Sequence, residues 1–422
     1  MTPRPFRADA LVAGSVAVLT GLQLALPVGV TAAAIASIAL CPVWLPLLRN
    51  HLGARTLFVL CLGALVSGLV LTGLRSSDHG VSPFLLTENS ALVANIALTV
   101  GVLLWSRHLL GAPRVALLIA VGMLASIPLH GVADGNLWRF TLSIPIAVFA
   151  LAVATQARNR PLELTALLAL AAVSLVNDAR SGTAILMITA IVVLWQLVPL
   201  PRRDGGRSTL RVVVTIGVTV AVVYSTAMSL IAGGVFGELT RLRTQAQIDT
   251  AGSVLLGGRP ELGASLALFG ERPAGFGSGT LATPVDVAIA KAGMASLGYD
   301  PDNGYVENYM FGAGYEVHSV IGDLWLRYGL VGLALAVALV VITVSSVVRR
   351  IRFNLASALL IFLGIRMLWN LFFSPLASSE LLTILFLTIA LPHVSEPGRA
   401  RFGRHLVRPA SQQPTDRGVV LA

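Results

Sequence analysis

The sequence predicts an all-α polytopic membrane protein of about twelve transmembrane helices, with one large, partly helical extracytoplasmic loop between helices nine and ten. Three observations carry that prediction. Mean hydropathy is +0.82, and 55% of the 422 residues are hydrophobic while only 12% are charged, a balance that belongs to chains whose surface faces lipid. The basic residues gather in alternate connections between apolar runs. The hydrophobic pattern also lapses once, over about eighty residues after position 232, and then resumes.

Apolar windows of roughly twenty residues fall at 8–26, 28–48, 56–74, 89–106, 114–129, 137–156, 162–177, 182–200, 210–232, 319–345, 355–373 and 379–391. The chain therefore divides into nine spans (1–232), a loop (233–318), three spans (319–392) and a basic tail (393–422). Arg4 and Arg7 precede the first apolar run, but no polar cleavage region follows, so an uncleaved first helix is expected rather than a signal peptide.

Twenty of the 30 Lys and Arg fall on one side of this layout, in groups such as Arg49 with Arg55, Arg107 with Arg114, and Arg349, Arg350 and Arg352. Positive residues on the cytoplasmic side would put both termini inside and the 233–318 loop outside, in an inner (cytoplasmic) membrane. The formal charge of +10 does not suggest a nucleic-acid partner, because the positives are spread over helix ends rather than gathered in a patch. Cys41 and Cys61 lie inside apolar runs, so no disulfide framework is implied.

Several basic residues break this rule. Arg139 and Arg327 sit at span ends, where snorkelling to an interface explains them, and Arg327 has Asp323 four residues earlier for a helical ion pair. Arg366 lies in the middle of a span. An arginine there costs about 2.5–3.5 kcal/mol, so a polar cavity or a buried acid is expected beside it.

The long loop is expected to be ordered. Residues 237–250 suit an amphipathic helix, Pro260-Glu261 opens another through about Phe269, and Thr283-Pro284 reads as an N-cap with Pro at the first helical position, ending at Gly298. The tail after His393 reads as disordered.

Four stretches bear chemistry. Arg180, in a short turn, is either an anchor paired with Asp178 or a cation for an anionic headgroup. Arg259 precedes a helix start, where backbone N–H groups add to a guanidinium already suited to phosphate. His318, at the end of the loop, is either a helix-cap residue or a general base. Tyr305, Tyr309 and Tyr315, with Glu316 and other polar neighbours, suit a sugar's ring faces and hydroxyls, or form an interfacial aromatic belt. No P-loop, CxxC, HExxH or Gly-x-Ser-x-Gly occurs. Ser77-Asp78-His79 holds only two metal-ligand types, a weak metal signal.

Taken together, Asp178-Ala179-Arg180-Ser181-Gly182, then Gly258-Arg259 with Pro273-Ala274-Gly275-Phe276-Gly277-Ser278-Gly279, then His318-Ser319 with Gly329-Leu330-Val331-Gly332, resemble the motifs of the O-antigen ligase and polysaccharide polymerase superfamily of bacterial membrane glycosyltransferases. The likeness covers roughly 165–345. Ser319 stands where relatives more commonly carry Asn, and Arg327 where many carry an acid. The resemblance implies about twelve helices and a periplasmic-side loop over a cavity. It also implies metal-independent, cofactor-free transfer of a glycan from a polyprenyl diphosphate carrier to a glycan or lipid acceptor. Arg180 and Arg259 would hold the diphosphate and His318 would activate the acceptor hydroxyl. Ligase-like transfer is favoured over polymerisation. A lipid or glycan transporter would need internal repeats, which the sequence lacks, and a peptidoglycan-polymerising protein would need an acidic residue in the loop.

Overall fold

A computed structural model describes residues 8–131, 135–198, 207–235, 237–252, 257–312 and 314–394. The basic tail and Arg4, Arg7, Arg202 and Arg203 lie outside them. Among the described residues the fold is helical, with only isolated β-bridges. Seven helices are long and apolar enough to cross a membrane, or eight counting one pair bent by 68°, and three more are apolar but shorter. The chain is thus an all-α, multi-pass membrane protein by its helices, and the expected number of twelve is not established.

The first half comprises α1 (Ala8–Leu22), the bent pair α2 (Ala32–Ala39) and α3 (Cys41–Trp44), then α4 (Ala54–Arg75), α5 (Pro83–Leu110) and α6 (Ala112–His130). A π-helical turn at Trp138–Leu142 leads into α7 (Ser143–Gln156), followed by α8 (Arg160–Val176), α9 (Arg180–Leu197) and α10 (Thr209–Ala232). The loop carries α11 (Glu238–Ala251), α12 (Glu261–Glu271) and α13 (Pro284–Ala295). The chain returns through α14 (Val320–Arg352), α15 (Ala358–Phe373) and α16 (Leu376–Ala390). Two hydrophobic cores result, one inside the bundle and one joining α12, α13 and residues 306–326. Val59, Leu62, Val66 and Leu69 of α4 remain exposed, as a face against acyl chains requires.

At one end of the bundle, arginines close helix ends. Arg107 donates to the Thr388 and Leu391 carbonyls at the end of α16, and Arg350 to that of Ile389. The last carbonyls of a helix lack internal partners and carry its negative dipole end, so guanidiniums satisfy both needs. Arg207 bonds Asn354 and the Trp195 carbonyl there.

The opposite end holds the loop, whose described residues include three helices close to the expected positions. Pro260 caps α12, and Thr283 and Asp286 form a capping box opening α13. The glycine-rich stretch has a packing role. α14 is broken at Gly329, whose φ of +61° and ψ of −145° favour glycine. The break frees carbonyls, and other segments take them up. Phe276 and Gly277 donate their N–H groups to Leu326 O, and Ser67 Oγ donates to Tyr328 O. The Pro273–Gly279 and Gly329–Gly332 motifs are thus two sides of one joint, in which loop backbone at the end of a span satisfies a broken helix.

A polar clamp holds the same loop to the turn after α4. His79 is buried, with Nδ1 2.9 Å from Asp78 Oδ1 and Nε2 3.0 Å from Asp286 Oδ2. Asp286 also accepts from Thr283 and from the Tyr315 hydroxyl, and Arg272 donates to Asp78 at 2.8 Å. Both side chains of Asp78-His79 are thus used in docking the loop. His79 and Arg272 hold the Asp78 carboxyl down to about 2. A carboxylate depressed on folding stabilises the fold above its ordinary value near 4 and loses that contribution as pH falls toward 2. Backbone amides of 276–286 are accordingly expected to exchange faster as pH drops through that window, after correction for intrinsic rates, and His79→Ala should show the faster exchange already at pH 7. Equal protection of variant and wild type would discard the clamp.

Candidate functional site

The loop end of the bundle contains a cavity of about 190 Å³. The π-turn and start of α7 contribute Trp138, Arg139 and Phe140, and the end of α8 contributes Ser174. The start of α9 adds Ser181 and Gly182, the loop adds Arg259, and α15 adds Arg366 and Trp369. Three guanidinium-bearing residues line it, and no Asp or Glu does among the described residues. The walls toward the bundle are apolar, including Ile144, Leu170, Ile185 and Phe362.

Arg259 sits beneath the loop, directly before α12, with Cζ 5.9 Å from the Trp369 ring and 5.8 Å from that of Phe373. Aromatic faces steady a guanidinium without neutralising it, so its N–H fork stays available to an anion. Arg366 meets the expectation made for it, since it lines this cavity rather than pairing with an acid, and its buried Nε has no hydrogen-bond partner. Arg139, read from sequence as a snorkelling residue, lines it too and lies 4.9 Å from the Phe140 ring centre. Its signal was already in the charge pattern, because it breaks the scarcity of basics on that side. Only the fold could show that it and Arg366 share a cavity.

Arg180 is paired with Asp178 in this structure, and both of its readings stand. Its Nε donates to Asp178 Oδ1 at 2.9 Å, and both side chains are largely exposed. Its neighbours Ser181 and Gly182 line the cavity; Arg180 itself is not among the lining residues. Asp178 is held at a φ of +51°, a conformation that is uncommon outside glycine.

His318 adjoins this region through two links. The Ser319 hydroxyl, which caps α14, donates to Leu371 O at 3.0 Å on the segment of α15 that carries Trp369 and Phe373. The His318 ring also lies 5.9 Å from that of Tyr305, whose hydroxyl donates to Glu261 at 2.7 Å, two residues after Arg259. His318 has a φ of +52°, and its Nδ1 is buried without a hydrogen-bond partner. It is not itself among the cavity's lining residues. Among the described residues no carboxylate is hydrogen-bonded to the ring, which packs beside Tyr305.

Tyr305 and Tyr309 stack at 5.7 Å, and Tyr299 approaches Tyr305 at 6.1 Å. This ladder ends on Tyr309, which is 72% exposed. Tyr315 is a correction. It is only 3% exposed, packed on Phe276 and bonded to Asp286, so it belongs to the loop's core and offers no face to a sugar. Glu316 is partly buried, with Arg327 at 3.9 Å. Burial first, and then the nearby Asp323, push its carboxyl above the usual range.

The expected Asp323–Arg327 ion pair is also corrected. Arg327 is buried and donates to Tyr315 O from Nε and Nη2, so it does not snorkel. Asp323, fully buried, accepts from Val317 N at 2.9 Å and Leu376 N at 2.8 Å. It thereby joins the residue before His318 to the start of α16. In Asp323→Asn an amide NH₂ would face one of those N–H groups, at a cost of about 1–3 kcal/mol for the donor left unpaired. We expect a lower Tm in detergent and a displaced His318. A variant that melts like the wild type would show that the carboxylate does not hold the junction.

Comparison with family models, curated proteins and solved structures returns no match to this chain. The site is therefore read from its own geometry.

Proposed function

We propose that the protein is a membrane glycosyltransferase of the O-antigen ligase type. It would transfer a glycan from a polyprenyl diphosphate carrier to an acceptor hydroxyl, at the outer face of an inner membrane with both termini cytoplasmic. One observation carries this reading: the cavity joins Arg259 of the second motif to Ser181 and Gly182 of the first, among three guanidinium-bearing residues with no acid among the described lining residues. Such a site suits an anion at the membrane surface.

The chemistry follows from what the substrate lacks. A diphosphate leaves readily once its developing charge is neutralised, and a guanidinium at 4 Å contributes about 4 kcal/mol at an effective dielectric near 20. Arg259 supplies that charge, and Arg180 joins it by leaving Asp178. The acceptor hydroxyl is the poor partner. His318 removes its proton as the oxygen attacks the anomeric carbon, while the carbon–oxygen bond to the diphosphate breaks and its electrons go to the phosphate oxygen. Tyr305 and Tyr309 stack against the sugar, and no metal or cofactor enters the step.

The test is release of carrier diphosphate and appearance of the glycosylated acceptor, using purified protein in nanodiscs with EDTA. The wild type should turn over, while His318→Ala and Arg259→Ala should not. Wild-type turnover in both variants would overturn the reading. Movement of carrier across vesicle membranes without transfer would favour a transporter.

A further inference from the structure

We propose that Arg366 forms the deeper half of a two-phosphate site, holding the lipid-proximal phosphate of the carrier while Arg259 holds the sugar-bearing one and Arg139 flanks them at the rim. This inference rests on reading the cavity as a carrier diphosphate site and goes on to assign its two ends. Neither Arg366 nor Arg139 belongs to the motifs that suggested the activity.

The argument starts from cost. Arg366 lies within α15, among Phe362, Leu363 and Met367, which are almost fully buried. An arginine so placed is retained where it pairs with an acid, bonds backbone carbonyls or faces a polar cavity. Its buried Nε has no hydrogen-bond partner, and no carboxylate lines the cavity among the described residues. Arg207 and Arg327 show the contrast, since each is bonded to carbonyl oxygens. Arg366 is thus a cation prepared for something that enters.

Depth sets which end of the ligand it meets. At 1.5 Å per residue, Trp369 lies about 4.5 Å and Phe373 about 10 Å along α15 from Arg366, toward the loop. Arg259 sits against those two rings, so it enters the cavity from rings that stand one to two turns nearer the loop than the Arg366 backbone. Two phosphates in series fit a pair of cations that reach one cavity from different levels. The lining also includes an apolar wall of Ile144, Ala147, Leu170, Ile185 and Phe362, the last one turn deeper along α15 than Arg366, where an aliphatic tail belongs. The ligand's order of sugar, phosphate, phosphate and prenyl chain therefore runs parallel to the order of loop, Arg259, Arg366 and apolar wall. Arg139, on the π-turn and largely exposed, closes the side.

The experiment compares farnesyl diphosphate with farnesyl monophosphate, binding to full-length protein in nanodiscs by calorimetry. The wild type should prefer the diphosphate by about tenfold or more. Arg366→Gln should abolish that preference, Arg366→Lys should restore part of it, and Arg139→Gln, a surface change that leaves the fold alone, should reduce it. Arg366→Leu adds a readout that a structural role would reverse: removing an unpaired charge should leave the ligand-free Tm equal or higher, while the Tm gain on adding farnesyl diphosphate disappears. Wild-type selectivity in Arg366→Gln, or a marked fall in ligand-free Tm in Arg366→Leu, would overturn the proposal. Full selectivity without glycan transfer would support this site while removing the glycosyltransferase reading. Normal transfer with unchanged KM in Arg366→Gln would do the opposite.

Discussion

His318→Ala should lower the rate of glycan transfer by about 10²–10⁴-fold, the range a positioned general base contributes. At 1.36 kcal/mol per tenfold that is about 3–5 kcal/mol of transition-state stabilisation. The loss should appear in kcat with little change in KM for the carrier, because the proton moves only as the new bond forms. Its pH–rate profile should also lose the limb belonging to the base. Arg259→Ala differs. An electrostatic donor aimed at the leaving group is worth about 10²–10³-fold, but in the proposed reaction it would also touch the carrier before reaction, so KM should rise as well. Arg259→Lys should restore charge without the fork that spans two phosphate oxygens, and so recover only part of the rate. The two residues do different jobs, so their kinetic signatures should separate. If His318→Ala raised KM with kcat intact, His318 would be a binding residue, and the base would have to be sought elsewhere, first at Glu316.

How much of this was legible beforehand depended on how far each signal reaches along the chain. Apolar runs and the Thr283-Pro284 cap are local patterns; α13 begins where its cap indicates, and most apolar windows coincide with helices, although the window at 28–48 is a bent pair and α5 starts well before its window. Arg366 was legible as an anomaly because an arginine within a span demands a partner of some kind. What a residue faces across the fold was not legible. Asp323 and Arg327 stand four apart on one helix, and the local rule pairs them. In the fold Asp323 reaches Leu376 N, 53 residues away, and Arg327 turns back to Tyr315. Two backbone N–H groups buried beside a carboxylate outweigh a helical ion pair worth a few tenths of a kcal/mol. Tyr315 was misread for a related reason. Its neighbours in sequence are polar, but its ring faces Phe276 and its hydroxyl finds Asp286. The cavity needed four helices and a loop to meet, and no spacing encodes that.

Gly329→Val should have the largest effect on folding of any single change considered, because two penalties coincide there. At a φ of +61° and ψ of −145° a branched side chain is strained by about 1–3 kcal/mol. A Cβ would also collide with the Ala274 carbonyl oxygen and come within 2.8 Å of Leu71 Cδ1, and overpacking of that kind costs about 1–3 kcal/mol more. The Leu71 side chain can swing aside, but the Ala274 backbone cannot. The Pro273–Gly279 backbone is fixed by hydrogen bonds from Phe276 and Gly277 to Leu326 O, and at Gly275 an added Cβ would lie 2.7 Å from Trp325 O. Straightening α14 instead would withdraw Leu326 O from those N–H groups and leave buried donors unpaired. Gly329→Val should therefore fail to give a monodisperse species in detergent, and Gly329→Ala should melt well below the wild type. Gly73→Ala is the control. It lies in α4, a Cβ there meets nothing within 4 Å, and the change should be neutral or raise stability by up to about 1 kcal/mol. Wild-type melting in both Gly329 variants would mean that α14 runs unbroken. The joint by which Phe276 and Gly277 hold the loop to α14 would then not exist, and the account of how the loop docks would fall with it.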